Sequence, residues 1–531
     1  MKISKEAWGF LVLLIVATIL QFALARRHSL WADEFFSLAM ATGHSLEHRA
    51  ADAQPQLGDF VEPEGAVPAA EFRRYLQHEN PPASPARVIR AVLLSDTSPP
   101  LYYVLLEGWT LIFGTSDLAL RLFSVSFSIA SLPLLAALAR RIASPRAALT
   151  SCVLFAFSPL VLYYSTEGRM YSLLIFLALA TALVSLLLQE RGPHVGHCLL
   201  WVALSAAGFL THYFFVFPWL ASAAFLFLEP GEFQRRWLFL CSLGIGLLIL
   251  PWVWMAAGTF SSWKVTQGWL NREPSGFHRT RALVAQFTQF FFSAGHGRWW
   301  TPRWCKLFAL MLFGIAAASA AWRLRQQLFS GPRLLLWLWL IAGCAGPTMI
   351  DLLQHTYTAD IPRYALGGIP AACLIAGIVL SSLGPRLGLA SLCLVVLAWL
   401  PGLHNIYRQQ SRSVERGEPV REIAQSVSAT AKASDLVLIH SIPSGVLGVA
   451  RYAHTPAPLG SWVEQLGNRR VPESLQTLAH GRSRILLVKL HKVGASAPEE
   501  DWLRANAAMV NQKRMQAIIL IEFEPKTATT F

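Results

Sequence analysis

The feature that most constrains the fold is a series of long apolar runs that recurs along most of the 531 residues. A helix of about 20 apolar residues is long enough to cross the hydrocarbon core of a bilayer. We count eleven runs, some of them short: 8–25, 118–138, 147–163, 171–188, 198–210, 214–228, 237–257, 305–321, 334–350, 364–381 and 387–403. The sequence therefore predicts a polytopic α-helical membrane protein with about eleven transmembrane helices.

Composition and charge support this prediction. Hydrophobic residues make up 54% of the chain and charged residues only 14%, whereas a soluble domain has about a quarter of its residues charged. The seven cysteines all lie in or beside apolar runs, which favours buried thiols over disulfides or a cysteine-based zinc site. The net charge is +14, but the basic residues sit in short loops between the runs, which argues against nucleic acid binding.

Arginines in these loops indicate the orientation of the chain. The run Leu101–Phe113 has only thirteen residues and contains Glu107, so it is too short to span comfortably and we predict a juxtamembrane helix on the outer surface. With the N-terminus cytoplasmic, all inner loops are then arginine-rich, as the positive-inside rule requires. These loops contain Arg140, Arg141, Arg146, Arg191, Arg235, Arg236, Arg323, Arg325, Arg333 and Arg386.

This topology places three long segments outside: 26–117, 258–304 and 404–531. The last is predicted to be a small soluble α/β domain on the periplasmic or extracellular side, following a membrane domain over 1–403. Its predicted elements are a helix at Val420–Ala433, strands at Asp435–His440 and Ile485–Leu490, a helix at Glu499–Arg514 and a last strand at Ala517–Phe523.

Four short motifs carry the candidate chemistry: Trp31-Ala32-Asp33-Glu34, the turn around Glu167 and Arg169, Thr211-His212-Tyr213, and Pro362-Arg363-Tyr364. Each alone also fits a structural role, such as interfacial charge, a turn-stabilising ion pair, a structural histidine or a snorkelling arginine. All four, however, are predicted at the same side and depth of the membrane, where clustered ionisable groups indicate function. Acids together with arginines suit a reaction that removes a proton and expels an anion.

The order of these motifs resembles the GT-C superfamily of membrane glycosyltransferases, which includes protein O-mannosyltransferases and lipid A aminoarabinose transferases. The likeness is strongest to a bacterial group defined by lipopolysaccharide-core sugar transferases and covers roughly residues 1–405. Besides the four motifs, it rests on Ser98-Pro99-Pro100-Leu101-Tyr102-Tyr103, Ala119-Leu120-Arg121-Leu122 and the full turn Tyr164-Ser165-Thr166-Glu167-Gly168-Arg169-Met170-Tyr171.

The resemblance implies a polyprenyl-phosphate-linked sugar as donor and an active site on the outer face of the cytoplasmic (inner) membrane. It implies Asp33 as the base for the acceptor hydroxyl, with Glu34 and Glu167 as supporting acids. Arg363 would hold the donor phosphate with Arg169 and Tyr364. His212, Tyr102 and Tyr171 are the expected substrate contacts.

The sequence departs from the family pattern at two places. Ser98 stands where relatives commonly carry a basic residue before the Pro-Pro pair, and the turn reads Thr166-Glu167-Gly168-Arg169 where Gln-Glu-Ala-Arg is frequent. Metal use varies in the superfamily; the acids could bind a divalent ion, but no ligand set compels one.

Several alternatives remain open at this point. A transporter or lipid flippase would also have many spans and intramembrane charges, although the charges here cluster at one face and no inverted repeat is visible. A phospholipid-linked phosphotransferase would use similar arginines and a metal, and a member of the fold without activity is a third alternative. Membrane lipids surround the chain in every case. The acceptor could be a glycan, a lipid or a protein.

Overall fold

The computed structural model describes residues 5–96, 98–259, 276–292, 322, 329–408, 418–491, 497–516, 518–526 and 531. They fall into two compact units. The first lies within Met1–Arg27, Arg121–Trp254 and Gly268–Ser413, and the second within His28–Leu120, Met255–Gln267 and Val414–Phe531. The second unit thus combines the first outward segment predicted from the sequence with the C-terminal part of the chain.

Long apolar helices build the first unit. Among the residues that the structure describes, seven helices are long and apolar enough to cross a membrane: Glu6–Ala25, Asp117–Ile142, Tyr171–Arg191, Arg235–Ala257, Pro332–Gln354, Pro362–Ser382 and Pro385–Tyr407. The first of these begins at Lys5, and the sixth starts as a 3-10 helix, Pro362–Gly368, that continues as the α-helix Ile369–Ser382. Several helices present large apolar side chains outward, as with Trp254, which is 81% exposed. Such surfaces suit lipid rather than water.

Four further helices account for more of the predicted runs. Pro145–Phe157 and Pro159–Ser165 together pass the same test but are bent by 61° at Ser158, because Pro159 has no N–H to continue the helix. Val195–Phe209 and Val216–Leu228, the latter preceded by a 3-10 turn at Tyr213–Phe215, are apolar but shorter. A polytopic helical membrane protein is confirmed, while the count of eleven stays a prediction because the run 305–321 lies outside the described residues. The unit also contains the helix Gly276–Phe292.

Short helices form the N-terminal part of the second unit. They are Ala32–Ala41, Ala69–Arg73, Pro85–Ser95 and Leu101–Phe113, with 3-10 turns at Ala50–Asp52, Pro55–Leu57 and Arg74–Leu76. The helix Leu101–Phe113 has the bounds predicted from the sequence. Glu107 on it is buried, with 4% of its surface exposed.

The C-terminal part of the second unit is an α/β sheet domain. Its strands are β1 (Asp435–His440), β2 (Leu459–Trp462), β3 (Arg484–Lys489), β4 (Ala507–Met515) and β5 (Ile518–Pro525), in the spatial order β2-β1-β3-β5-β4. The pairs β1–β2 and β1–β3 are parallel, and the pairs β3–β5 and β4–β5 are antiparallel. Its helices are Val420–Thr430, Pro443–Tyr452, Glu473–Ala479 and Pro498–Asn506, with a 3-10 turn at Glu464–Leu466.

One helix predicted in this domain was wrong over its second half. The predicted helix Glu499–Arg514 ends at Asn506, and the residues that follow form β4. This strand pairs with β5 along its length and leaves most of its side chains exposed. Sheet pairing overrides the helical preference of its polar residues, since strand formation depends on context more than on intrinsic propensity.

Candidate active site

Asp33 lies in the first turn of the helix Ala32–Ala41, which we call the Asp33 helix. Its side chain is partly exposed, whereas most of the helix is buried. A carboxylate in a first helical turn is stabilised by the unpaired N–H groups and the positive end of the helix dipole. The sequence thus places an ionisable carboxylate at the electropositive end of a mostly buried helix.

Glu34 is fully buried, and part of its role is structural. Its Oε2 accepts a hydrogen bond from the Trp31 backbone N–H at 3.3 Å, so its carboxylate reaches back to the residue that precedes the helix. This is one half of a capping box, which satisfies a donor at a helix start. Sequence reasoning grouped Glu34 with Asp33 as an acid and did not foresee this cap.

The Pro-Pro motif leads into the helix Leu101–Phe113, and Asp96 organises its start. The Tyr103 hydroxyl donates to Asp96 Oδ2 at 2.5 Å, and the Ser98 N–H donates to Asp96 Oδ1 at 3.1 Å. Tyr102 is 0% exposed and its ring packs edge-on against Tyr103. The expected substrate contact at Tyr102 stays a prediction, and the structure places that ring in the interior.

In the first unit, Glu167 and Arg169 lie in the tight turn between the helices Pro159–Ser165 and Tyr171–Arg191. Both side chains are buried, with exposures of 0% and 6%. The Arg169 N–H donates to the Glu167 carbonyl at 2.7 Å, and Ser124 Oγ donates to the Arg169 carbonyl at 3.0 Å. The turn is therefore fixed by its own backbone and by a neighbouring helix.

A continuous chain of aromatic contacts brings four of the predicted residues together. Tyr164 packs on Tyr171, with ring centroids 5.2 Å apart, and Tyr171 lies 6.1 Å from His212. His212 contacts Phe214 at 5.4 Å, and Phe214 stacks on Tyr364 at 4.7 Å with planes 25° apart.

This series of aromatic contacts ends at the guanidinium group of Arg363. The Arg363 guanidinium carbon lies 5.4 Å from the centroid of the neighbouring Tyr364 ring, within cation–π range. Arg363 itself is 7% exposed. We call the set Tyr164, Tyr171, His212, Phe214, Tyr364 and Arg363 the aromatic chain.

His212 has a defined hydrogen-bonding role within this chain. Its Nδ1 accepts from the Phe214 backbone N–H at 3.0 Å and caps the 3-10 turn Tyr213–Phe215. A ring nitrogen that accepts carries no proton, so the proton of the neutral imidazole is on Nε2. His212 therefore presents Nε2–H as a donor.

Arg363 sits on the 3-10 helix Pro362–Gly368, and Asp351 folds the loop that precedes it. Asp351 Oδ1 accepts from Thr358 N–H at 2.7 Å, Thr358 Oγ1 at 2.5 Å and Thr356 Oγ1 at 2.8 Å. Its Oδ2 accepts from the Ala359 N–H at 2.8 Å. A buried carboxylate thus collects four donors within the eight residues that follow it.

The same helix is also held from behind by close backbone packing. A Cβ on Gly343 would lie 2.7 Å from Gly368 Cα, so only glycine fits there. Trp339 Nε1 donates to the Gly367 carbonyl at 2.5 Å. The helix Pro332–Gln354 therefore holds both the loop before Arg363, through Asp351, and the C-terminal end of the 3-10 helix that carries Arg363.

Within the described part of the chain, no group of three or more His, Cys, Asp or Glu side chains is arranged to hold a metal ion. Sequence reasoning missed Phe214 and Asp351. Phe214 could have been found from the sequence, since it lies two residues after His212. Asp351 is a single acid near the end of an apolar helix, and no sequence pattern marks it as part of the site.

The comparisons with known proteins agree with this fold. Residues 97–255 match the family model described as dolichyl-phosphate-mannose-protein mannosyltransferase. No curated protein sequence matches the chain. The structure is similar to ArnT from Cupriavidus metallidurans bound to undecaprenyl phosphate, with a TM-score of 0.61, 14% identity and coverage of 98% of each chain.

The apo state of the same ArnT gives a TM-score of 0.58 at 14% identity, covering 97% of this chain and 98% of that one. The archaeal oligosaccharyltransferase AglB from Archaeoglobus fulgidus is more distant, with a TM-score of 0.48 at 14% identity over 91% of this chain and 69% of that one.

The fold and the site define a multi-pass membrane protein with buried acids, arginines and aromatic rings at the ends of its helices. Its shared fold and the family-model match make the assignment more specific. The chain shares the fold of the membrane glycosyltransferase ArnT, and its residues 97–255 match the mannosyltransferase family model, which agrees with the resemblance and confirms the fold class expected from the motifs.

Proposed function

We propose that this protein is an inverting glycosyltransferase that moves a sugar from a polyprenyl-phosphate donor to an acceptor hydroxyl on the outer face of the cytoplasmic membrane. The observation that carries the proposal is the aromatic chain ending on Arg363. An arginine over a tyrosine ring, held on a fixed 3-10 helix, is suited to bind a phosphate with two parallel hydrogen bonds. ArnT, whose fold this chain shares, has been crystallised with undecaprenyl phosphate.

The proposed reaction needs one base and a cation. Asp33 takes the proton of the acceptor hydroxyl, and the acceptor oxygen attacks the anomeric carbon. The bond from that carbon to the phosphate oxygen breaks, and the polyprenyl phosphate leaves with the electron pair. Since a phosphate is already a weak base, it leaves without protonation, and direct displacement inverts the anomeric centre.

The other residues have supporting roles in this proposal. Arg363, with Arg169, stabilises the negative charge that develops on the leaving phosphate, and Tyr364 orients the Arg363 guanidinium. Glu34 supports Asp33 through its cap on the Asp33 helix, and Glu167 supports the turn that carries Arg169. Tyr171 and His212 contact the substrate, with His212 Nε2–H as a donor to a sugar or phosphate oxygen.

The test is transfer of radiolabelled sugar from a polyprenyl-phosphate donor by the protein in proteoliposomes, comparing wild type with Asp33→Asn and Arg363→Gln. We expect Asp33→Asn to lower kcat on the order of 100-fold or more, because proton transfer in the transition state contributes that much. We expect Arg363→Gln to raise the KM for the donor. Glu232→Gln, which removes an exposed carboxylate of the first unit, is the matched control and should behave as wild type.

The outcomes separate the alternatives. Normal transfer by Asp33→Asn would remove Asp33 from the mechanism. Absence of transfer by the wild type with every donor tried would contradict the proposal. Movement of the labelled lipid across the bilayer without transfer would instead indicate a flippase.

A further inference from the structure

The parallel part of the C-terminal sheet has a topological switch point between β1 and β3. From β1 the chain crosses through the helix Pro443–Tyr452 to β2 on one side, and β3 lies on the other side of β1. In open α/β sheets, the crevice at the carboxyl ends of two such strands is where ligands bind. Here the residues at that position are Ser441, directly after β1, and His491, two residues after β3.

These two residues contact each other and are tightly constrained. Ser441 Oγ lies 2.9 Å from His491 Nδ1. A Cβ on Gly445 would lie 2.0 Å from Ser441 Oγ and 3.2 Å from His491 Nδ1, so the helix that follows β1 approaches them as closely as a glycine allows. His491 has a φ of +54°, in the left-handed region that non-glycine residues rarely occupy, so its backbone is held there by its surroundings.

The other nitrogen of His491 pairs with Glu418. His491 Nε2 lies 2.7 Å from Glu418 Oε1, and both side chains are mostly buried, 18% and 16% exposed. A carboxylate only accepts, so Nε2 carries a proton and donates. The result is a fixed chain of contacts from Ser441 through His491 to Glu418.

Glu418 in turn holds the start of the Asp33 helix. Its Oε2 accepts from the Ala32 N–H at 3.3 Å, and its carbonyl accepts from Ser29 Oγ at 3.3 Å. The Tyr452 hydroxyl accepts from the Leu30 N–H at 2.8 Å. Ala32 is the first residue of the helix, whose N–H has no partner within the helix. The residues at the switch point are thus linked through Glu418 to the chain's own segment beside Asp33.

The charges in this contact chain reinforce it. Burial disfavours the charged imidazole, but Glu418, by its charge and hydrogen bond, and Asp33, by its charge, outweigh burial and raise the pKa of His491 above its ordinary value. Among the described residues, these two carboxylates are the charged groups that raise the pKa of the imidazole. The protonated ring then donates from both nitrogens, to Glu418 and to Ser441.

We propose that Glu418 and His491 are positioning residues for Asp33: the C-terminal domain holds the first turn of the Asp33 helix through the Ser441–His491–Glu418 contacts. This inference rests on the proposed function, in which Asp33 takes the acceptor proton. It gives the C-terminal domain a role in catalysis that requires no ligand of its own.

The experiment compares Glu418→Gln and His491→Gln with wild type and with Glu422→Gln, an exposed carboxylate on the adjacent helix. We expect both variants to lower kcat roughly 10- to 100-fold, the scale of a small misplacement of a catalytic group, with the donor KM within about 2-fold of wild type. His491→Gln removes an imidazole whose pKa is raised by the charge of Asp33, so the pH dependence of kcat/KM should differ from that of the wild type. Glu422→Gln should match wild type in all three.

Hydrogen exchange gives a readout that does not depend on activity. We expect the amides of residues 29–34 to lose protection in Glu418→Gln and keep it in Glu422→Gln, because the first loses an acceptor at Ala32. Normal kcat, pH profile and exchange in both variants would overturn the inference while leaving the proposed function intact. Exchange that changes as expected in a protein without any transfer would contradict the proposed function alone.

Discussion

Replacing Asp351 by asparagine should weaken donor binding without touching any residue assigned to the donor. The carboxylate accepts three hydrogen bonds at Oδ1 and one at Oδ2, and it is only 3% exposed. The asparagine could keep the three contacts at its side-chain oxygen. Its NH2 group, however, would face the Ala359 N–H, so that two donors oppose each other in a buried place.

The magnitude follows from these contacts. Leaving a buried donor unsatisfied costs about 1–3 kcal/mol, and hydrogen bonds to a charged acceptor are each worth more than those to a neutral one. We expect Asp351→Asn to destabilise the folded loop by about 2–4 kcal/mol. If about 1.4 kcal/mol of this destabilisation is lost from the free energy of donor binding at Arg363, donor affinity falls about tenfold.

The assay is the KM for the polyprenyl-phosphate donor, together with the apparent unfolding temperature in detergent. Asp351→Asn should raise the donor KM and lower the unfolding temperature while kcat at saturating donor stays close to wild type. Thr356→Val removes one of the four donors and should produce a smaller effect in the same direction. A donor KM and an unfolding temperature equal to those of wild type in Asp351→Asn would refute the reasoning.

Three further predictions concern packing and pH. Gly448→Ala places a Cβ 2.7 Å from Phe35 Cε2, so it should push the Asp33 helix and lower kcat more than it lowers expression; wild-type turnover would contradict this. Phe214→Leu removes the stack on Tyr364, worth about 1 kcal/mol, and should raise the donor KM several-fold, with Phe214→Tyr retaining wild-type values. The hydrogen bond from Arg87 lowers the pKa of Glu79 to about 2. Its stabilising contribution is therefore present above pH 4.5 and lost as pH falls towards 2, so acid unfolding followed by tryptophan fluorescence should be less steep over that range in Glu79→Gln.

The sequence predicted those parts of the fold that depend on local pattern. Apolar runs predict membrane helices because a helix in lipid satisfies its backbone hydrogen bonds within itself. The bounds of β1 could be predicted because a fully buried strand is visible in the sequence as a short β-type run. The strand β4 was missed because its side chains are mostly exposed and polar, and only the pairing with β5 makes it a strand. Pro159 bends a predicted span, and the break is readable in the sequence.

The same distinction applies to the candidate site: residues marked by a local pattern could be predicted, and residues joined by long-range contacts could not. Asp33, Glu167, His212 and Arg363 could be singled out because ionisable residues next to apolar runs are conspicuous. In the sequence, Asp351 looks like any acid at a helix end, and only the folded loop shows that it accepts hydrogen bonds from residues 356–359. Glu418 and His491 lie 73 residues apart, and Glu418 lies 386 residues from Ala32, so no local pattern connects them with Asp33.

This long-range arrangement has a consequence for the C-terminal domain. The Ala32 and Leu30 N–H groups take their acceptors from Glu418 and Tyr452, and buried donors without partners cost about 1–3 kcal/mol each. A chain ending near residue 408 would keep every arginine and acid of the membrane helices and still lose those acceptors at the start of the Asp33 helix. We therefore expect such a truncation to abolish transfer, with donor binding at Arg363 preserved. Addition of the separate domain should restore more transfer with Glu418 intact than with Glu418→Gln, and equal rescue by a Glu418→Gln domain would show that the domain acts by covering surface rather than by holding Asp33.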